Sequence, residues 1–146
     1  MDRNTRILAI QVIYNVLYNR KFDIEIDYHD IFQSIIENGQ GVFLDEDDGK
    51  FGDVDLERLH VLLSNFMGNI DYIKRIISSN LVGWDVERLD ILKLSIIYVS
   101  ALERVLKDHK VNKLISEYIK ISKYFFPVEK DTAFFNAILD KVLNTL

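Results

Sequence analysis

The sequence predicts an all-α protein of about seven helices, and three observations carry that prediction. Apolar residues recur at spacings of three and four through nearly every patterned segment, and no segment shows the sustained alternation of a strand. The stretch from Val111 to Leu143, VNKLISEYIKISKYFFPVEKDTAFFNAILDKVL, holds two such patterns parted by Pro127, the only proline. The recurring positions are Val111, Leu114, Ile115, Tyr118, Ile119, Ser122 and Phe125, then Phe134, Phe135, Ile138, Leu139, Val142 and Leu143. Each set draws a stripe down one helix face, so the two helices must pack on each other or on a third element. Of the polar residues left over, Glu117 and Asp140 are expected to be buried or half-buried charge partners that fix helix contacts.

The other elements follow in order. Arg3–Tyr18 reads as a helix with Ile10, Ile13, Tyr14 and Leu17 inward and Asn4, Gln11, Asn15 and Tyr18 on another face. Arg3 and Arg6 near its start oppose the helix dipole and so call for an anionic partner. Tyr28–Glu37 gives a short helix with Ile31, Phe32, Ile35 and Ile36 inward, and Asn38–Asp53 reads as a solvated loop with four glycines and the acidic run Asp45–Asp48. Neither Gly49 nor Gly52 sets a calcium-loop frame with the remaining ligands in place. Leu56–Met67 and Ile70–Val82 predict two helices around Gly68, and Asp85 is offered as the cap of a long helix running to about Leu106. That helix is apolar over much of its circumference, through Leu89, Leu92, Ile96 and Val99 and beside them Ile91, Leu94, Tyr98 and Leu102, which places it in the middle of a bundle. The expected organisation is one domain over 1–146, with an N-terminal helical part at 1–67 carrying an acidic loop at 38–55, and a C-terminal helical part at 68–146.

A chain of 146 residues, 49% hydrophobic, can bury a real core. The absence of cysteine excludes disulfides, thiolate metal sites and cysteine nucleophiles and suits a cytoplasmic location. No apolar run approaches the roughly 18 residues of a membrane span, and the N-terminus has no signal-peptide pattern, so no membrane partner is expected. The net charge of −5 is unevenly spread: Asp23–Asp55 holds eleven acids against Lys50, while Met1–Phe22 sums to +3. Screening over about 8 Å keeps an acidic loop and a basic face nearly independent, so overall acidity does not exclude RNA. His29, His60 and His109 are scattered, with no second ligand at metal spacing, and each is expected at the surface. No phosphate loop, HExxH pair or G-x-S-x-G elbow is present; the sequence suggests neither an enzyme nor a cofactor.

The order of the polar residues resembles the bacterial transcription antitermination family NusB. FFNAILDK at Phe134–Lys141 resembles that family's F-V-N-G-V-L-D-K, and ISEYIKISKYF at Ile115–Phe125 its I-N-E-A-V-E-L-A-K-K-F. LKL at Leu92–Leu94 stands where the family has L-R-L, shortly after a tryptophan like Trp84. Arg3-x-x-Arg6-x-x-Ala9-Ile10-Gln11-x-x-Tyr14 is similar to R-x-x-R-x-x-A-L-Q-A-L-Y. The resemblance implies two stacked helical bundles. It also implies a non-enzymatic factor that, with the ribosomal protein NusE, holds boxA RNA of ribosomal RNA transcripts within the transcription elongation complex. Carried over by position, Arg3, Arg6, Gln11, Tyr14, Lys93 and Phe134 would form the RNA face. For Tyr14 and Phe134 the competing reading is plain core packing.

The chain departs from the pattern at several places. Asp2 and Asn4 stand where the family often has arginine, Ala137 replaces the signature glycine, and Lys93 replaces an arginine, giving up bidentate phosphate contact. This thinning sustains a second reading, a helical module that binds NusE without RNA. A third, the helical domain of a ribosomal RNA cytosine methyltransferase, would require a catalytic domain beyond Leu146. The residues leave the oligomeric state open, a homodimer included.

Overall fold

The computed structural model describes residues 1–37, 54–83, 85–106 and 109–146, with only the backbone at 35–37. Among these residues seven α-helices follow in order: α1 (Arg3–Lys21), α2 (Tyr28–Glu37), α3 (Leu56–Ser64), α4 (Phe66–Asn80), α5 (Ile91–Val105), α6 (Val111–Phe125) and α7 (Glu129–Thr145), with a 3-10 turn at Val86–Arg88 before α5. The described residues contain no strand, and none of the helices is long and apolar enough to cross a membrane. The loop expected at 38–53, its glycines and acidic run, Trp84, Asp108 and the inward placement of Ile35 and Ile36 fall outside the described residues and side chains.

Local chemistry sets the ends of α1. Asp2 caps it, accepting from the Thr5 amide at 2.8 Å and the Thr5 hydroxyl at 2.7 Å. The Thr5 Oγ1 in turn accepts from the Asp55 amide at 2.9 Å, which ties the start of α1 to the cap of α3. At the other end Asp23 takes a left-handed φ of 58°. Its amide bonds to the Arg20 carbonyl, and that of Ile24 to the Asn19 carbonyl, a Schellman closure that satisfies the last turn.

Three boundaries differ from the sequence expectation, the first being the end of α1, which runs past Tyr18 to Lys21. The break between the third and fourth helices lies at Asn65, not Gly68, which sits inside the first turn of α4. Asn65 bonds through Nδ2 to the Val61 carbonyl at 2.7 Å, closing α3 by a side-chain contact that the apolar spacing does not register. The long helix from Asp85 is two elements. Asp85 caps only the 3-10 turn, and α5 starts at Ile91 because Asp90 accepts from the amides of Leu92 and Lys93.

The largest packing contact joins α1 to α5. α1 also packs on α2 and α3, and α5 on α4, α6 and α7, so one continuous core runs through both groups. Residues Ser95 to Glu103 of α5 are all buried, as a helix apolar around most of its circumference requires. Phe66 of α4 meets Tyr98 of α5 edge to face at 5.8 Å.

The least expected feature of this core is ionic. Arg6 is 4% exposed and Glu103 fully buried, and the two pair through Nε–Oε1 at 2.7 Å and Nη2–Oε2 at 3.1 Å. The Tyr118 hydroxyl donates to the same Oε1 at 2.7 Å, and half-buried Glu117 lies 3.9 Å from Nη1. Burial opposes the charged guanidinium, but the hydrogen bond and charge of Glu103 outweigh it and raise the Arg6 pKa. Burial first, then Glu103, pushes the Tyr118 pKa well up. Glu117 is thus a half-buried partner, but Asp140 is exposed and accepts from Asn144 on its own helix. Glu103 is the acid that the core encloses.

Two outcomes follow from this packing. Glu103→Gln leaves a buried guanidinium without its carboxylate and should cost about 3–5 kcal/mol in urea unfolding, whereas Arg6→Met with Glu103→Leu should cost clearly less than the two single changes summed. Tyr98 and Tyr118 both hold their protons more tightly when folded, chiefly through burial. Their stabilisation is intact below the unfolded tyrosine pKa of about 10 and lost as pH rises above it, by up to about 1.4 kcal/mol per pH unit for each ring. Urea midpoints measured from pH 9 to 11 should stay level and then fall, and the combined Tyr98→Phe and Tyr118→Phe variant should flatten that fall.

Candidate nucleic-acid interface

A surface groove of about 900 Å³ opens between the carboxyl half of α1, the start of α5 and the α6–α7 connection. α1 contributes Gln11, Tyr14, Asn15, Tyr18 and Lys21; the 3-10 turn and α5 contribute Glu87, Arg88 and Asp90 beside apolar Leu89, Ile91 and Leu92; Phe126 closes the far wall. The helical repeat explains the α1 set, since 11, 14, 15 and 18 lie on one side of a 3.6-residue helix. Tyr14 and Tyr18 stack at 6.1 Å between ring centroids, and Tyr18 meets Phe22 at 5.2 Å. Asn15 is held by its Nδ2 donating to the Gln11 carbonyl at 2.8 Å.

Phe126 links this groove to a second cluster. Lys93 Nζ lies 5.2 Å from the Phe126 centroid and 5.5 Å from that of Phe134, within cation–π range, while donating to Asp131 Oδ1 at 2.5 Å. Phe134 is half-buried and meets fully buried Phe135 edge on at 5.5 Å, so one side of its ring is packed and another reaches the surface.

The charges sort simply. Glu87 is engaged by Lys74 at 2.6 Å, and Asp90 caps α5 through two backbone amides. Lys21 and Arg88 have no carboxylate partner among the described residues. The groove therefore offers ring faces for unstacked bases and two unpaired cations for phosphates, the pairing of features that suits single-stranded nucleic acid.

Among the residues that the resemblance singles out, the structure brings Gln11, Tyr14, Lys93 and Phe134 to neighbouring places around Phe126. It does not bring Arg3 or Arg6 there. Arg3 is exposed at the opposite end of α1, about 16 Å along the axis from Tyr14, and Arg6 is inside the core on Glu103. Lys21, Arg88 and Phe126 are groove residues that the sequence does not single out, and Tyr18, expected on the face of Gln11 and Asn15, joins them. Tyr18 and Lys21 follow Tyr14 at helical spacing and were legible; Arg88 and Phe126 lie in connections whose direction no periodicity encodes. The described residues place no group of three or more histidines and carboxylates where it could hold a metal ion.

Comparison with known proteins places this geometry in a family. The chain is 29% identical over 143 residues to the transcription antitermination protein NusB of Finegoldia magna, covering 97% of this chain and 92% of that one. It is 28% identical over 108 residues to the protein of the same name from Clostridium botulinum, 73% of this chain and 80% of the other. In fold it is similar to T. maritima NusB, with a TM-score of 0.73 at 20% identity over 97% of this chain and 89% of that one. It is equally similar, at TM-score 0.73 and 18% identity over 97% and 93%, to a chain in the "Crystal Structure of a Plectonemic RNA Supercoil". The NusB family model matches residues 3–144, nearly the whole chain, and the protein belongs to the NusB family.

Proposed function

We propose that the protein is a transcription antitermination factor that holds single-stranded boxA RNA together with NusE in the cytoplasmic elongation complex. The observation that carries this reading is the groove in which Tyr14, Tyr18 and Phe126 stand beside unpaired Lys21 and Arg88. Aromatic faces take bases with little sequence demand, and cations fix the backbone. Tyr14, Gln11 and Phe134 touch bases in this reading. Lys93, already neutralised in part by Asp131, supports Phe126 and Phe134 more than it binds phosphate. Arg3 meets a strand that continues past the groove toward the start of α1. Arg6 is a positioning residue: it holds α1 against α5 and α6 through Glu103 and Tyr118, and so holds Tyr14 where the RNA passes.

One observation favours the second reading, a module that binds NusE without RNA. Arg6 and Lys93, both expected on an RNA face from the resemblance, are engaged by carboxylates of the protein itself. Gel shifts with boxA RNA, with and without NusE, separate the two readings. A ternary complex weakened by Tyr14→Ala supports the first; NusE binding with no RNA in the complex establishes the second. A homodimer that covered the exposed rings would compete with RNA, and light scattering with and without RNA would reveal it.

Few free cations set the expected strength. With Arg3, Lys21 and Arg88 as the phosphate contacts, the logarithm of affinity should fall with the logarithm of salt at a slope of about −2, and binding by the lone protein should be weak until NusE is added. Tight, boxA-selective binding without NusE at physiological salt would refute this. Tyr14→Ala should weaken the ternary complex by about fivefold to a hundredfold, the scale of one lost base stack, with the urea midpoint almost unchanged because the ring is only half-buried.

A further inference from the structure

We infer that the RNA track extends beyond Tyr14 along the last two turns of α1, with Tyr18 and Phe22 each taking one further unstacked base and Lys21 and Arg88 holding the phosphates between. This inference rests on the RNA-binding reading and adds binding residues to it.

Tyr14, Tyr18 and Phe22 recur at every fourth residue, so their rings climb one side of α1. Centroid spacings of 6.1 and 5.2 Å exceed the ~3.4 Å rise of a stacked strand, so the ladder suits bases splayed apart, one to a ring. Tyr18 is 45% and Phe22 57% exposed, although rings of this size are usually buried by a core within reach. Phe22 is not loose. It precedes Asp23, whose left-handed backbone and the Schellman bonds to Asn19 and Arg20 fix the chain direction, so the ring is held outward on an ordered turn. Apolar rings held outward mark an interaction surface.

The charge pattern chooses the occupant. Of the carboxylates that line the groove, Glu87 is bound to Lys74 and Asp90 is committed to the α5 amides, while Asp71 lines the adjoining cavity with Arg20 and Lys21, and Asp23 follows Phe22. Lys21 and Arg88 remain unpaired among the described residues, and Arg20 precedes Lys21 on the last turn of α1. Alternating rings and unpaired cations fit a polyanion with flat bases better than the apolar face of a protein helix.

The test is fluorescence anisotropy of the protein–NusE complex with a labelled boxA RNA, and with the same RNA shortened by two nucleotides from one end or the other. Tyr18→Ala and Phe22→Ala should each weaken the full-length RNA by at least about fivefold, and Tyr18→Phe, which keeps the ring, should restore binding. One of the two shortened RNAs should bind wild type and both alanine variants alike, because the nucleotides that meet these rings are gone. Equal losses on every RNA, or no loss on any, would overturn the inference while leaving RNA binding itself intact, provided Tyr14→Ala still weakens the complex. Loss of NusE binding by Tyr18→Ala or Phe22→Ala in the absence of RNA would assign the ladder to a protein partner and overturn it as well. Failure of wild type to bind any of these RNAs would defeat the underlying reading, a result distinguishable from the other two.

Discussion

The guanidinium of Arg6 and the carboxylate of Glu103 face each other out of water, and three helices are arranged around that fact. Arg6 comes from α1, Glu103 from the buried middle of α5, and Tyr118 of α6 completes the hydrogen bonding of the carboxylate. A buried pair of this kind adds little net stability over well-packed apolar residues. Its consequence is geometric: a bidentate contact between a planar fork and a carboxylate tolerates little rotation or sliding, so it sets the register of α1 against α5. Everything on the outer side of α1, Tyr14 and Tyr18 included, inherits that register.

The same logic of occupied charges shapes the surface. Asp131 takes Lys93, Lys74 takes Glu87, and Asp90 serves the start of α5. What remains free at the groove is cationic, although the whole chain carries −5. Net charge therefore says little about this face, because the acids that line it, Glu87 and Asp90, are engaged by the protein itself. The replacement of arginine by Lys93 also acquires a physical sense: an ammonium can rest between Phe126, Phe134 and Asp131 at once, a compact site for a point charge rather than for a fork.

Much of the fold was legible in the residues. The helices at Arg3, Tyr28 and Val111 start where periodicity places them, and α2 and α6 end there as well; α6 buries Leu114 and Tyr118 of its stripe, and Ile31 and Phe32 of α2 pack half-buried against the core. The demand of an arginine at a helix start for an anion was legible as well, but not the identity of the anion. The boundaries that went astray, at Asn65 and Asp90, are places where a single side-chain bond to the backbone overrides a continuous apolar pattern. Asp140 looked like a charge partner because it stands in a recognisable stretch; its side chain points to solvent, and no spacing rule distinguishes the two cases.

By itself, then, the sequence determined the helical class, the stripes that must be buried, and the family resemblance carried by its last two helices and its first. Those are local properties, encoded within a few turns of chain. Only the tertiary structure decided that Arg6 pairs with Glu103, ninety-seven residues away. It alone gathered Gln11, Tyr14, Arg88 and Phe126 around one groove and left Lys21 and Arg88 there without a carboxylate partner among the described residues. Partnership between distant side chains depends on how helices cross, and crossing is settled by the packing of whole faces rather than by any residue's neighbours in the chain.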